Sequence, residues 1–444
     1  MAIPLAPPEH PAIDVAELKK VNTYAQPAAF PEHFPEGVNP ALETSKWAQE
    51  ELDIVSLNDE GIQSAAQYIH YQMRHEAYFP RTWRTHPLHI CPTDPFSWDD
   101  PSTIACLNWI FFISSLNFSF WSELEGQSGR YGVEWRDAWS SETRVVHTGY
   151  WSLVAAVNRA LEEGIQLTDP AFFASEARCP DSLIEYVFRP AGQSVEAIPL
   201  IRERIVVLRQ VGSILCQDFG GSFYGFIQAF RLRYNNRGTA LQLVKMVTEI
   251  FPSFRDEHML NGRRGKSSPI HSLTPPSLDP SFPAVYVWKR AQILVAETWA
   301  AFYPEISSAP HPLFPAGPAI HELTMFADYR VPQILHHLRM LTYPSALIEL
   351  LEARTPLASG SREELSVRAA SIVAVERVRR EIARLIADEE GGDGGRACSD
   401  AVSSVMIDFY LWDLAKRVEG RERGVEGVET CAMLPVHRTR SIWY

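Results

Sequence analysis

The chain has 444 residues, of which 46% are hydrophobic and 21% are charged, as is ordinary for a globular protein with a large core. The formal net charge of −13 argues against a surface that binds duplex nucleic acid, because phosphate contacts require an excess of Lys and Arg. The six cysteines form no C-x-x-C pair, and the longest apolar run is too short for a membrane span. We therefore expect a soluble protein of the cytoplasm, with the nucleus as the alternative, and no membrane partner.

Residues 1–42 are rich in proline and predict an extended N-terminal arm. The remaining stretch, 43–444, shows apolar residues mainly at helical spacing. The clearest predicted helices start near Ile201, Leu241, Ala291 and Glu363.

Strand patterns are few, and the best of them covers 143–146. Segments rich in Gly, Ser, Pro or charge predict inserted loops near 263–285, 388–399 and 418–432. The sequence thus predicts an all-α (mainly α) fold, with a single helical domain over 43–444.

Standard cofactor and catalytic motifs are missing from the sequence. It contains no P-loop, no G-x-G-x-x-G, no H-E-x-x-H and no G-x-S-x-G. The neighbours His336 and His337 would point in different directions on a helix, which does not suit a shared metal. We expect neither a cofactor nor a metal site.

The run 324–333 places Asp328 among aromatic and apolar residues, directly before Tyr329 and Arg330. A carboxylate in such surroundings is costly to bury unless it has a partner or a function. Asp328 is therefore the first candidate for a catalytic residue.

A second acidic pair lies in the aromatic segment 406–414, where Asp408 and Asp413 stand five residues apart. On a helix they would be separated by about 140° around the axis. Capping, or ion pairing with Lys416 and Arg417, is one explanation, and a polar or cationic ligand held between helices is the other.

Lys289 and Arg290 lie near the start of a predicted apolar helix, where positive charge opposes the helix dipole. A solvated basic turn would explain them. An anionic ligand would also relieve the unfavourable arrangement.

Several blocks together resemble one family, the queuosine salvage proteins, which are queuosine 5'-phosphate N-glycosylases/hydrolases. The blocks, which follow the family's order along the chain, are LNFSFW (116–121), TGYWSL (148–153), FGGSF (219–223), FPSFRD (251–256), KRAQILVAETW (289–299), TMFADYRVPQIL (324–335), DFYLWD (408–413) and HRTRSIWY (437–444).

This resemblance implies hydrolysis of queuosine 5'-monophosphate to queuine and ribose 5-phosphate, which salvages queuine for tRNA modification. It also implies a helical fold similar to the helix-hairpin-helix DNA glycosylases. In that pattern Asp328 is the catalytic acid and Lys289 opens the preceding helix. The residues implied to bind substrate are His89, Phe326, Tyr329, Asp408 and Asp413.

Three other functions compete with this interpretation. A nucleic-acid base glycosylase would share the fold, although the net charge of −13 counts against it and we expect no direct nucleic-acid binding. A non-catalytic protein that carries queuine or its nucleotide would use the same acidic residues. A helical scaffold with structural ion pairs is the third alternative.

Overall fold

The computed structural model describes residues 34–35, 37–260, 284–306, 309–316, 319–389, 402–419 and 424–444. Most of the predicted arm and most of the predicted loops near 263–285 and 388–399 lie outside these residues. Helix α1 begins at Pro40, inside the stretch predicted as an arm.

The described residues are mainly helical, which confirms the predicted fold class. The α-helices are α1 Pro40–Leu52, α2 Asp59–His75, α3 Pro101–Ser115, α4 Tyr150–Glu162, α5 Pro170–Phe173, α6 Asp181–Val187, α7 Ile201–Asp218, α8 Phe223–Arg233, α9 Ala240–Ile250, α10 Lys289–Ala301, α11 Val331–His337, α12 Ser345–Glu352, α13 Arg362–Glu389 and α14 Ser404–Val418. The strands are β1 Ser56–Leu57, β2 Gly132–Arg136, β3 Arg144–Thr148, β4 Glu257–Met259, β5 Ala284–Tyr286 and β6 Leu341–Thr342.

Polar side chains fix where several helices begin. Asn39, Asn58 and Ser403 each accept a hydrogen bond from a main-chain N–H of the helix that follows. Thr239 and Gln242 form a reciprocal capping box at the start of α9. The predicted starts near Ile201, Leu241, Ala291 and Glu363 lie within two residues of the observed ones.

The strands form three separate antiparallel pairs, β1 with β6, β2 with β3, and β4 with β5. The predicted strand at 143–146 is confirmed as β3, which pairs Thr148 with Gly132 and Arg144 with Arg136. Among the described residues, no helix combines the length and apolar character needed to cross a bilayer.

Contacts divide the chain into two compact units. Unit 1 contains 81–253 and 297–317, where α4 packs on the β2–β3 hairpin and α3 packs on α7 and α8. Unit 2 contains 31–80, 254–296 and 318–444. A division by contacts does not test whether 43–444 folds as a single domain, which stays a prediction.

Unit 2 is built around α13, whose 28 residues contact α1, α2, α11 and α14. Its first half is buried without interruption from Glu364 to Glu376, so even charged side chains on that half lie inside the unit. Buried charges need partners, and those partners are what positions the candidate site.

Candidate active site

Lys289 is the first residue of α10 and is almost fully buried, with 3% of its surface exposed. Burial lowers its pKa to about 8, while the negative charge of Asp328 acts in the opposite direction. The residue before it, Trp288, has a left-handed φ of 49°, which is rare for a bulky side chain. Backbone strain of this kind occurs often at functional sites, because surrounding contacts must enforce it.

Asp328 precedes α11 and is half-buried. Its Oδ1 accepts hydrogen bonds from the main-chain N–H groups of Arg330, at 2.7 Å, and Val331, at 2.8 Å. Its Oδ2 accepts no hydrogen bond from the described part of the chain. One oxygen thus anchors the carboxylate at the start of a helix, and the other can act on a ligand.

The loop that carries Asp328 is fixed to α10 by an amide side chain. Gln292 donates to the Thr324 hydroxyl at 2.8 Å and accepts from the Thr324 main-chain N–H at 3.0 Å. It also accepts from Asn39 at 3.1 Å. All three residues are buried, so water does not compete for these hydrogen bonds.

Asp408 lies on α14 and accepts a 2.9 Å hydrogen bond from the main-chain N–H of Phe326. Burial raises its pKa well above the usual value, and the charge of Asp328 raises it further, although Lys289 opposes this. These mutual effects group Lys289, Asp328 and Asp408 into one electrostatic cluster. No ion pair joins Asp408 to a cation among the described residues, so a cationic ligand placed beside it would favour its ionised form.

Asp413, one and a half turns further along α14, accepts a 2.7 Å hydrogen bond from the hydroxyl of Tyr78. Burial raises the pKa of Asp413, while Tyr78 and Arg417 lower it. Ion pairing with Arg417 is one of the explanations that the sequence leaves open for this acid, and the ion pair that Arg417 forms is with Glu76, at 2.8 Å. The nearby charge of Arg417 still acts on Asp413.

The aromatic residues of the run 324–333 are buried beside the acids. The ring of Phe326 lies 6.0 Å from that of Phe409, between centroids. Tyr329 is 7% exposed, and the Arg330 guanidinium lies 5.7 Å from its ring. Arg330 forms an ion pair with Glu419 at 3.1 Å, and the charge of Asp328 acts on Lys289.

His89 belongs to unit 1, whereas the other six predicted site residues belong to unit 2. Its Nδ1 lies 2.8 Å from the carbonyl oxygen of Trp83, and its ring stacks on the Trp83 ring with centroids 4.0 Å apart. Burial lowers the pKa of His89 to about 3, which keeps the ring neutral. Its Nε2 is buried without a hydrogen-bond partner among the described residues, so it can accept a hydrogen bond.

Four residues that position the site were not selected from the sequence. They are Tyr78, Asp256, Gln292 and Arg368. Asp256 and Gln292 lie within the sequence blocks 251–256 and 289–299, but nothing local reveals their partners.

No group of three or more His, Cys, Asp or Glu side chains in the described ranges is arranged to hold a metal ion.

The arrangement suits chemistry at a cationic centre. The Asp328 carboxylate has one oxygen open to a ligand and lies in the field of the buried Lys289. Asp408 is a second acid that can bind a positively charged group. Such preorganised charge stabilises a transition state in which positive charge develops.

Comparison with known proteins points to the same chemistry. Residues 98–444 match the family model described as queuosine salvage protein. A queuosine 5'-phosphate N-glycosylase/hydrolase of Schizosaccharomyces pombe is 35% identical over 367 residues, covering 82% of this chain and 87% of the relative. Proteins of the same name from Mus musculus and Sphaerobacter thermophilus are 31% and 34% identical over 411 and 340 residues. They cover 90% and 77% of this chain, and 98% and 82% of their own lengths.

The match includes the segments that carry Lys289, Asp328 and Asp408, and it extends over most of the chain. This chain belongs to the queuosine salvage protein family.

Proposed function

We propose that this protein hydrolyses the N-glycosidic bond of queuosine 5'-monophosphate and releases queuine and ribose 5-phosphate. The observation that carries the proposal is the placement of Lys289 and Asp328 at the starts of two helices, with Oδ2 of Asp328 open. The relatives are named for this reaction, and family membership supports the same substrate here.

Asp328 acts on the ribose in the proposed mechanism. Queuine is a 7-deazaguanine and lacks N7, so protonation of that nitrogen cannot assist its departure. The ionised carboxylate therefore stabilises the positive charge that develops at the anomeric carbon, or attacks that carbon covalently. The bond between the anomeric carbon and the base nitrogen breaks, and water supplies both the hydroxyl of ribose 5-phosphate and, in net, the proton that the released base nitrogen takes up.

Lys289 supplies positive charge beside Asp328. It provides a positive charge in the field of the Asp328 carboxylate, and its ammonium group can hold an anionic part of the substrate. Both tasks require Lys289 to be protonated.

Asp408 and Asp413 recognise the side group of queuine in this proposal. The secondary ammonium of queuine supplies the cation that buried Asp408 lacks. The hydroxyl groups of the queuine diol can form hydrogen bonds with the Asp413 carboxylate and the Tyr78 hydroxyl. A site built around such groups rejects a base that lacks them, because its own polar atoms would stay unpaired. Phe326 and Tyr329 would contact the substrate through their rings. The predicted contact of His89 with the base stays a prediction.

Queuine release from queuosine 5'-monophosphate by wild type and Asp328→Asn tests the proposal. The amide keeps an oxygen for the two hydrogen bonds at the start of α11, but it removes the charge. We expect wild-type turnover and a loss of at least a thousandfold in the variant. The matched control is Asp169→Asn, since Asp169 caps α5 in unit 1 with the same kind of hydrogen bond.

Turnover by Asp328→Asn near the wild-type rate would contradict the role of Asp328. If neither protein turns over substrate but both bind queuine tightly, the protein is a carrier and the proposal is wrong.

A further inference from the structure

A fully buried arginine in unit 2 contacts the main chain next to Asp328. Arg368, on α13, is 0% exposed. Its Nε donates to the carbonyl oxygen of Ala327 at 3.0 Å. Its Nη atoms donate to both carboxylate oxygens of Asp256, at 3.1 and 2.5 Å, and to Glu364 at 3.3 Å. One planar group thus binds the residue before Asp328 and a carboxylate 112 positions away in sequence.

Asp256 carries the connection to the other catalytic segment. Its main-chain carbonyl accepts hydrogen bonds from the N–H groups of Val287, at 2.9 Å, and Trp288, at 3.3 Å. Lys289 follows directly. The carboxylate and the carbonyl of one residue therefore join the guanidinium to the strained turn at which α10 begins.

The remaining contacts hold this ion pair in one orientation. The ring of Tyr444, which is 0% exposed, lies 4.6 Å from the Arg368 guanidinium. The Tyr444 hydroxyl lies 2.9 Å from Nε2 of His437, and Nε2 of His258 lies 3.1 Å from Asp256. Every Nε and Nη atom of the guanidinium therefore has an acceptor, and its face has an aromatic neighbour.

Fold stability alone does not require such an arrangement. A buried ion pair gains little over apolar residues of similar volume, because both charges must be desolvated. The pair instead gives a defined geometry, since a guanidinium has a rigid fork that a lysine ammonium cannot reproduce.

We propose that Arg368, paired with Asp256, is a positioning residue that fixes the main-chain segments before Lys289 and Asp328 relative to each other. It touches no substrate in this proposal. Its contribution is to keep the ammonium and the carboxylate at the separation that the reaction needs. The inference rests on the proposed function and names a residue that serves it.

The test compares Arg368→Lys with Arg204→Lys in queuine release from queuosine 5'-monophosphate. Arg204 is a matched control in unit 1, also 0% exposed, whose guanidinium donates to the main-chain oxygens of Leu116, Phe118 and Pro199. We expect Arg368→Lys to lower kcat and the single-turnover rate by about a hundredfold, since small displacements of reacting groups have effects of that size. KM should change less than threefold, and Arg204→Lys should keep kcat within about threefold of wild type.

The split between kcat and KM is the readout that a purely structural role would not produce, and Asp256→Asn separates the effect of charge from that of position. The charge of Asp256 raises the pKa of Lys289, so its removal should move the alkaline limb of kcat/KM to lower pH. Arg368→Lys keeps its charge and should leave that limb in place while kcat falls. Should Arg368→Lys not fold, Glu364→Gln replaces it, because the amide removes the charge that faces Nη1 and leaves one acceptor oxygen for Nη1 and the Gly360 N–H, while the pair with Asp256 stays.

The outcomes separate the two proposals. An unchanged kcat in a folded Arg368→Lys, with active wild type, would overturn the positioning role alone. Equal losses of kcat in Arg368→Lys and Arg204→Lys would show that both variants act by general destabilisation, which would also overturn the positioning role. A wild-type protein without turnover would instead contradict the proposed function.

Discussion

The hydroxyl of Tyr78 donates a 2.7 Å hydrogen bond to Oδ2 of Asp413. Tyr78 follows α2, and Asp413 lies on α14, 335 positions later. The charges of Asp413 and Asp408 both raise the pKa of Tyr78, in addition to the larger effect of burial. One hydroxyl therefore lies near both acids that are proposed to hold the side group of queuine.

Tyr78→Phe should weaken queuine binding about five- to tenfold, because it removes one hydrogen bond to a charged group and leaves the ring in place. Calorimetric titration with queuine measures the loss. Tyr71→Phe is the control, since Tyr71 lies on α2 and is 64% exposed. Unchanged queuine affinity in Tyr78→Phe would show that Asp413 does not bind the ligand.

Asp408→Asn should weaken queuine binding about a hundredfold. The amide keeps an acceptor for the N–H of Phe326 but offers no negative charge to the ammonium of the ligand. Affinity for 7-deazaguanine, which lacks the charged side group, should stay within about threefold of wild type. Equal losses for the two ligands would place Asp408 at the ring system rather than at the side group.

The rate should fall at alkaline pH through Lys289. Its pKa of about 8 means that the lysine is protonated below that pH and loses its charge above it. We expect kcat/KM for queuosine 5'-monophosphate to decrease tenfold per pH unit once the pH exceeds this value. Lys289→Arg, which stays charged, should be slower than wild type at pH 7 and lack this alkaline limb. A limb at the same pH in both proteins would assign it to another group.

Glu297 should make the stability of unit 1 depend on pH. It lies on α10 and accepts hydrogen bonds from the Tyr150 hydroxyl, at 3.2 Å, and the Ser114 hydroxyl, at 3.4 Å. Burial raises its pKa from the usual 4.5 to about 7, although these hydrogen bonds lower it. The folded state thus holds the proton more tightly than the unfolded chain, and the resulting stability, present at pH 4.5, is lost as the pH rises through 7.

Glu297→Gln mimics the protonated acid and should remove this dependence. At pH 8 the variant should unfold at a higher denaturant concentration, with a free energy of unfolding greater by up to about 3 kcal/mol. Burial lowers the folded-state pKa of His86 to about 4 and that of His89 to about 3, so both add to the pH dependence of stability equally in wild type and variant, and the comparison cancels them. Equal pH dependence in both proteins between pH 6 and 8 would show that Glu297 stays ionised.

Local patterns in the sequence determined the helical class and the positions of the main helices. The apolar spacing around Ile201, Leu241 and Glu363 acts within a few turns, so it can be recognised without knowing the fold, whereas the helix that begins at Pro40 lies in a stretch whose prolines predict an extended arm. The same holds for Asp328, since an acid inside an apolar run is unusual wherever the chain goes.

Tertiary structure alone decided which groups meet. From the sequence alone, Arg368 is one of many charged residues on a long helix. Tyr78 is an aromatic residue in the loop that follows a different helix. Their partners lie 112 and 335 positions away, and no local signal encodes a contact over such distances. Burial then determined their chemistry, because removal of water makes each charge depend on its neighbours and so sets the states of Lys289, Asp408 and Glu297.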